Sequence, residues 1–264
     1  MPARFQIRAF AGIALAALLG APVLRGQNQG AVGPTSPQAD APIDLTGYWV
    51  SQIVDEWRFR VKPEKGDIAY LPINAEARRI ANAWDPDKDA AEGNACKAYG
   101  AVGVMQRPGR LHITWQDNAT LKIDADAGTQ TRLLHFGPAP AHKGESSLQG
   151  YSAAQWVVNG RPMLFTGDTL VPGLNPHSAR SGTLRVTTGN LLPGYLRKNG
   201  VPYSDHAVVN EYFNLLAGQN GEAYLVVTVT VEDSAYLVQP FFRTYTFKKQ
   251  PDASGWDPTP CLPR

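Results

Sequence analysis

The residues best spaced for chemistry stand in a short hairpin near the middle of the chain. Residues 111–116 and 120–125 each alternate apolar with polar side chains, and Asp117, Asn118 and Ala119 separate them. Read as a three-residue loop, this turn sets Gln116 against Thr120, Thr114 against Lys122 and His112 against Asp124. Side chains opposed in this way have Cβ atoms ~5 Å apart. A carboxylate beside an imidazole holds its tautomer and raises its basicity, which is what a general base requires. On that reading His112 is the base and Asp124 orients it, provided that their face points into a cavity. Arg132, on the next strand, would then bind an anion or polarise a carbonyl. The plainer alternative is the solvated side of a meander, because alternation produces a polar face by default.

A second cluster runs from Pro193 to Tyr203. Asn199-Gly200 is a strong turn signal, and Tyr195, Arg197, Lys198 and Tyr203 surround it with aromatic and cationic groups. At a barrel rim such groups gate a cavity or bind an acidic headgroup. The alternative is an ordinary turn whose cations lie along apolar surface. Glu211 is the third candidate. A carboxylate inside a strand is either outward-facing or buried and paired, and its alternation partners Val209 and Phe213 are apolar, which favours the inward position. The acid–base candidates are therefore His112, Asp124, Glu211 and Tyr203.

Established enzyme signatures are missing. There is no G-x-S-x-G elbow, no H-E-x-x-H, no C-x-x-C, no Walker loop and no G-x-G-x-x-G. The five histidines, at 112, 135, 142, 177 and 206, include no local metal-binding pair. No cofactor and no metal are expected. The formal net charge is +2, and Arg4 and Arg8 account for both charges. A chain near neutrality beyond them has no field to gather nucleic acid or anionic lipid.

Those two arginines open what reads as a signal peptide over residues 1–26. They precede an apolar stretch at 9–19, which is too short to span a ~30 Å hydrocarbon core. No later apolar run reaches that length, so no transmembrane segment is expected after cleavage, and the expected location is periplasmic or secreted. Residues 27–42 are rich in Gly, Pro, Ser and Gln and read as a disordered linker. In an oxidising compartment Cys96 and Cys261 invite a disulfide. It would close a loop of about 165 residues and tie the C-terminal tail to the body. Two unpaired thiols are the alternative, because spacing alone does not bring the Cα atoms within ~7 Å.

The candidates need a rigid frame, and the pattern supplies mostly strands. With 25 Gly and 21 Pro, turns are frequent and long helices are not expected. Strands are expected at 47–51, 111–116, 120–125, 130–136, 151–158, 184–188, 208–215, 224–232 and 236–248, and residues 57–61 extend the first strand or form another. One helix is expected from an Asn74 cap to Trp84, stopped by Asp85-Pro86, with a loop at 85–94. The fold class is all-β: an antiparallel lipocalin-like barrel of about 8–10 strands with one short helix. A barrel hides every sheet edge, and a two-sheet β-sandwich is the alternative. The barrel domain covers 43–250, and 251–264 is a Pro-rich C-terminal tail.

Asp44-Leu-Thr-Gly-Tyr-Trp, at the start of the ordered region, resembles the Gly-x-Trp opening of lipocalin-type (calycin) barrels, whose Trp plugs the barrel floor. Cys96, Pro108-Gly-Arg-Leu-His-Ile-Thr-Trp, Tyr151-Ser-x-x-Gln-Trp156, the Glu211-Tyr-Phe strand, Val229-Thr-Val-Glu-Asp233 and Pro240-Phe resemble uncharacterised exported bacterial proteins of that lipocalin-like type. The resemblance covers most of the chain from Asp44 to Cys261 and implies a barrel with an internal cavity. It carries over no catalytic residue. The expected function is binding of a small apolar or amphipathic molecule, with Arg132, Tyr151, Trp156, Tyr195, Arg197 and Lys198 as ligand-binding candidates. Two alternatives stand beside it: a barrel enzyme of isomerase, lyase or hydrolase type using acid–base chemistry, and a structural module with a filled core.

Overall fold

The computed structural model describes residues 35–54, 56–138, 144–158, 163–166, 169–172 and 182–263. The expected signal peptide, the linker up to residue 34, His142 and His177 lie outside the described residues. Thirteen strands are described: β1 (Gly47–Gln52), β2 (Arg110–Asp117), β3 (Thr120–Ala125), β4 (Gln130–Phe136), β5 (Tyr151–Val158), β6 (Met163–Thr166), β7 (Thr169–Pro172), β8 (Gly182–Gly189), β9 (Gly194–Arg197), β10 (Val201–Tyr203), β11 (Val208–Ala217), β12 (Ala223–Glu232) and β13 (Phe241–Gln250). Three short α-helices lie between β1 and β2: α1 (Trp57–Val61), α2 (Ala75–Ala83) and α3 (Pro86–Ala91).

Nine strands close a barrel in the order β1-β13-β12-β11-β8-β5-β4-β3-β2, and β1 completes it by pairing with both β2 and β13. β6–β7 and β9–β10 form separate hairpins. The closed barrel matches the calycin-type expectation in outline. One pairing departs from an antiparallel meander: β4 and β5 run parallel, so both start at the same end of the barrel.

The inward residues follow the two-residue period of a strand. Leu225, Val227, Val229 and Val231 of β12 are buried, and the intervening threonines are half-exposed. Trp49 of the Gly-x-Trp segment is fully buried, and its indole N–H donates to the Leu45 carbonyl at 2.9 Å. Gly47 has φ 108°, a left-handed conformation that suits glycine.

The connections divide between two ends. β1–β2, β3–β4, β8–β11 and β12–β13 are joined at one end, called the cap. β2–β3, β5–β8 and β11–β12 are joined at the other, the mouth. The cap holds the three helices and the β9–β10 hairpin. Asn74 caps α2 as expected, its Oδ1 accepting from the Ala77 N–H at 2.9 Å. Asp85-Pro86 ends that helix and also starts α3 within the expected loop. Asp85 Oδ1 accepts from the Asp87 and Lys88 N–H groups, and proline is tolerated at the first helical position. Residues 57–61 are helical rather than extended. The strand expected from 236 begins at Phe241, just after Pro240, which has no N–H to give a ladder.

The expected linker enters the fold earlier than its composition suggests. The Gln38 N–H donates to the Asn118 carbonyl at 3.1 Å, and the Trp156 indole donates to the Pro37 carbonyl at 2.8 Å. Residues 35–43 thus lie across the mouth. The tail runs the other way from the end of β13. Trp256 covers Tyr48 and His112 edge-on, Thr259 pairs with Ala127 at the β3–β4 turn, and Cys261 is bonded to Cys96 with a Cα–Cα distance of 5.1 Å.

Candidate functional site

The mouth is built from three inward positions near strand ends: Trp115 of β2, Phe136 of β4 and Trp156 of β5. Each follows its strand's buried series, as Trp156 follows Ser152 and Ala154. The rings converge, with centroids 5.5 Å apart for Trp115–Phe136, 5.3 Å for Phe136–Trp156 and 6.5 Å for Trp115–Trp156. All three are half-buried and pack on the core. A cleft of about 250 Å³ adjoins Trp115, lined also by Gln38, Ala41, Pro42, Ile43 and Asp44.

Deeper inside, Arg132 and Glu211 meet across the barrel. The guanidinium donates to both carboxylate oxygens, Nη1 to Oε1 at 2.9 Å and Nη2 to Oε2 at 2.6 Å. Nη2 also donates to Thr188 Oγ1 at 3.3 Å, and that hydroxyl shares a hydrogen bond with Ser152 Oγ at 2.8 Å. Arg132 is 1% exposed and Glu211 0%. A buried charge pair is tolerated only with good geometry and further hydrogen bonds. Here Arg132 Nε alone lacks a partner among the guanidinium nitrogens. With both oxygens engaged, Glu211 serves as the buried, paired carboxylate rather than as an available base.

The hairpin at His112 has the expected register and faces outward. His112 lies opposite Asp124, and Thr114 opposite Lys122. Asp117, not Gln116, faces Thr120, because a bulge between Trp115 and Asp117 absorbs one residue and leaves the pairing beyond it unchanged. The buried face carries Leu111 and Ile113, so His112 and Asp124 stand on the outer wall. The His112 ring stacks on Tyr48 at 4.0 Å, and Asp124 accepts from Thr131 Oγ1 at 2.6 Å and pairs with Lys122 Nζ at 2.8 Å. A catalytic His112 requires a face turned into a cavity, and that requirement is not met.

The remaining candidates fall in two places. Tyr151 is on the outer wall, stacked on His135 at 5.0 Å. Tyr195, Arg197, Lys198 and Tyr203 are in the cap. Asn199-Gly200 makes the β9–β10 turn, with Gly200 at φ 81° and so close to Trp84 that a Cβ would lie 2.1 Å from the indole. Tyr195 and the Trp84 indole both donate to Asp89 Oδ2 at 2.7 Å. Burial, more than the Asp89 bond, pushes the Tyr195 phenol up. Lys198 Nζ sits 5.6 Å from the Tyr99 ring. Tyr203 is buried with its hydroxyl unpartnered among the described residues, and burial raises its phenol as well. His112 and Asp124 are therefore paired on the outer wall, while Glu211 lies inside the barrel and Tyr203 in the cap.

No protein-family model, no curated protein and no solved structure matches this chain. Among the described residues no group of three or more His, Cys, Asp or Glu is placed to hold a metal ion, and no helix is long and apolar enough to cross a membrane. Trp115 and Phe136 are functional candidates that sequence reasoning misses. Their places at the ends of buried alternating series are the available signal. Arg107, in the cap, is missed as well. It lies in an irregular segment before β2, where no period marks a face.

Proposed function

We propose that this protein is exported and binds a small apolar or amphipathic molecule at the aromatic mouth of a lipocalin-like barrel. The observation that carries the reading is the convergence of Trp115, Phe136 and Trp156 at one barrel end, beneath residues 35–43. Aromatic rings with a few placed polar groups are the usual lining of small-molecule sites. The indole N–H of Trp156, which donates to the Pro37 carbonyl, places one polar group among the rings. Export draws support from the Cys96–Cys261 bond, since disulfides persist in oxidising compartments. Native mass spectrometry of protein from its exporting host should show a co-purifying small molecule, and Trp115→Ala with Trp156→Ala should remove it. Fractionation should place a shortened chain outside the cytoplasm, and a full-length cytosolic product would overturn export.

One observation favours a second reading, a structural module with a filled barrel. Trp49, Ile113, Phe213, Phe241 and Phe247 are all within 1% of full burial and occupy the interior with side chains. Absence of any bound mass, together with no saturable uptake of an apolar probe, would favour that module.

A further inference from the structure

The cap buries three arginines near one another. Arg60, Arg107 and Arg197 are each at most 4% exposed. The partners of Arg60 include the Gln106 and Gln52 carbonyls at 3.2 Å and Ser51 Oγ at 2.9 Å, to which it donates, and it lies over the Tyr245 ring at 5.1 Å. Arg197 donates to Glu56 Oε1 at 3.3 Å and stacks over Phe59 at 4.3 Å, but its Nη1 has no acceptor among the described residues. The second oxygen of Glu56 is taken by Arg243 at 2.7 Å. Arg107 is the exception among the three. None of its three guanidinium nitrogens has a hydrogen-bond partner among the described residues, and all three are withdrawn from solvent. Burial pulls its pKa down to about 10. The phenols of Tyr99 and Tyr245 oppose that shift, and the charges of Arg60 and Arg197 add to it.

What Arg107 and Arg197 Nη1 lack, among the described residues, is an acceptor. A guanidinium withdrawn from water without a partner is strongly disfavoured. Its planar fork fits two oxygens of one carboxylate or phosphate, a match that a single spherical ion does not make. We propose that the cap binds a small oxyanion, a carboxylate or a phosphate group, on Arg107, with Arg197 Nη1 as a further donor. The site lies at the end of the barrel opposite the aromatic mouth, and it does not rest on the function proposed there.

The test uses the whole chain, with phosphate, sulfate and acetate titrated at matched ionic strength against chloride. At least one oxyanion should raise the melting temperature progressively and bind saturably by calorimetry, and chloride should not. Phosphate or sulfate acting more strongly than acetate assigns a phosphoryl-type ligand, and the reverse assigns a carboxylate. Arg107→Met should weaken that binding by at least about tenfold, as loss of a charge-assisted pair implies. Should Arg107→Met fail to fold, crystals of the unaltered protein soaked in selenate or bromoacetate give the answer without a variant. An anomalous peak within hydrogen-bonding distance of Arg107 is expected. No oxyanion effect beyond chloride, wild-type affinity in Arg107→Met, or no peak with either soak overturns the proposal.

Discussion

Arg132 in the barrel and Arg107 in the cap are both taken out of water, and the chain treats them differently. Arg132 lies on a regular strand directly across from a carboxylate, with both Glu211 oxygens and a hydroxyl relay satisfying most of its donors. Arg107 lies in an irregular turn beside two other guanidinium groups, and the nearby Glu56 carboxylate is already divided between Arg197 and Arg243. Inside the barrel, strand register fixes both partners, so the charge pair is complete within the polypeptide. In the cap, the three guanidinium nitrogens of Arg107 find no acceptor among the described residues. The first arrangement belongs to a scaffold. The second has an unmet demand that a ligand can fill.

Removing one member of the satisfied pair gives the largest expected effect. Glu211→Ala leaves Arg132 buried and unpaired and should cost about 3–5 kcal/mol in urea unfolding, whereas Arg132→Met with Glu211→Leu should recover most of that loss. A single variant as stable as the parent would break the contrast. Next, Cys96→Ser with Cys261→Ser should cost about 2–5 kcal/mol. Hydrogen exchange should then place the lost protection in the tail and the cap, where the bond joins them, before the barrel strands. The unsatisfied side predicts the opposite of Glu211→Ala. In oxyanion-free buffer Arg107→Met should be neutral or stabilising, because an unpaired buried charge is replaced by an apolar chain of similar length. A loss comparable to that of Glu211→Ala would show that Arg107 already has its partner. The smallest effect belongs to the outer wall: His112→Ala should cost at most about 1 kcal/mol and leave small-molecule binding unchanged.

Strands with clean alternation are legible from residue order alone. The inward position of Glu211 follows from Val209 and Phe213, and the inner face of β12 from its valines. The Glu211 partner is not legible, because Arg132 stands 79 residues away and only barrel closure brings it across. In the His112 hairpin the expected loop is out by one residue, yet the His112–Asp124 register survives because a bulge absorbs the difference. The apolar series Leu111, Ile113 and Trp115 already marks the other face as the inner one. The parallel β4–β5 pairing carries no local signal, since neither strand encodes the direction of its neighbour. α1 is five residues long, too short for a helical period to declare itself against a strand. The disulfide stays open in sequence because pairing depends on distance, and the return of the tail along the outer wall supplies it.

The mouth defined by Trp115, Phe136 and Trp156 is where a small apolar or amphipathic molecule should bind. Titration of the full chain with the neutral fluorophore N-phenyl-1-naphthylamine tests this most directly, because an uncharged probe does not report on the arginines of the cap. The expected result is saturable binding of one probe per chain, weakened at least about tenfold in Trp156→Ala, as loss of an aromatic anchor implies, and unchanged in Arg107→Met. No saturable binding, or equal affinity in Trp156→Ala, would contradict it.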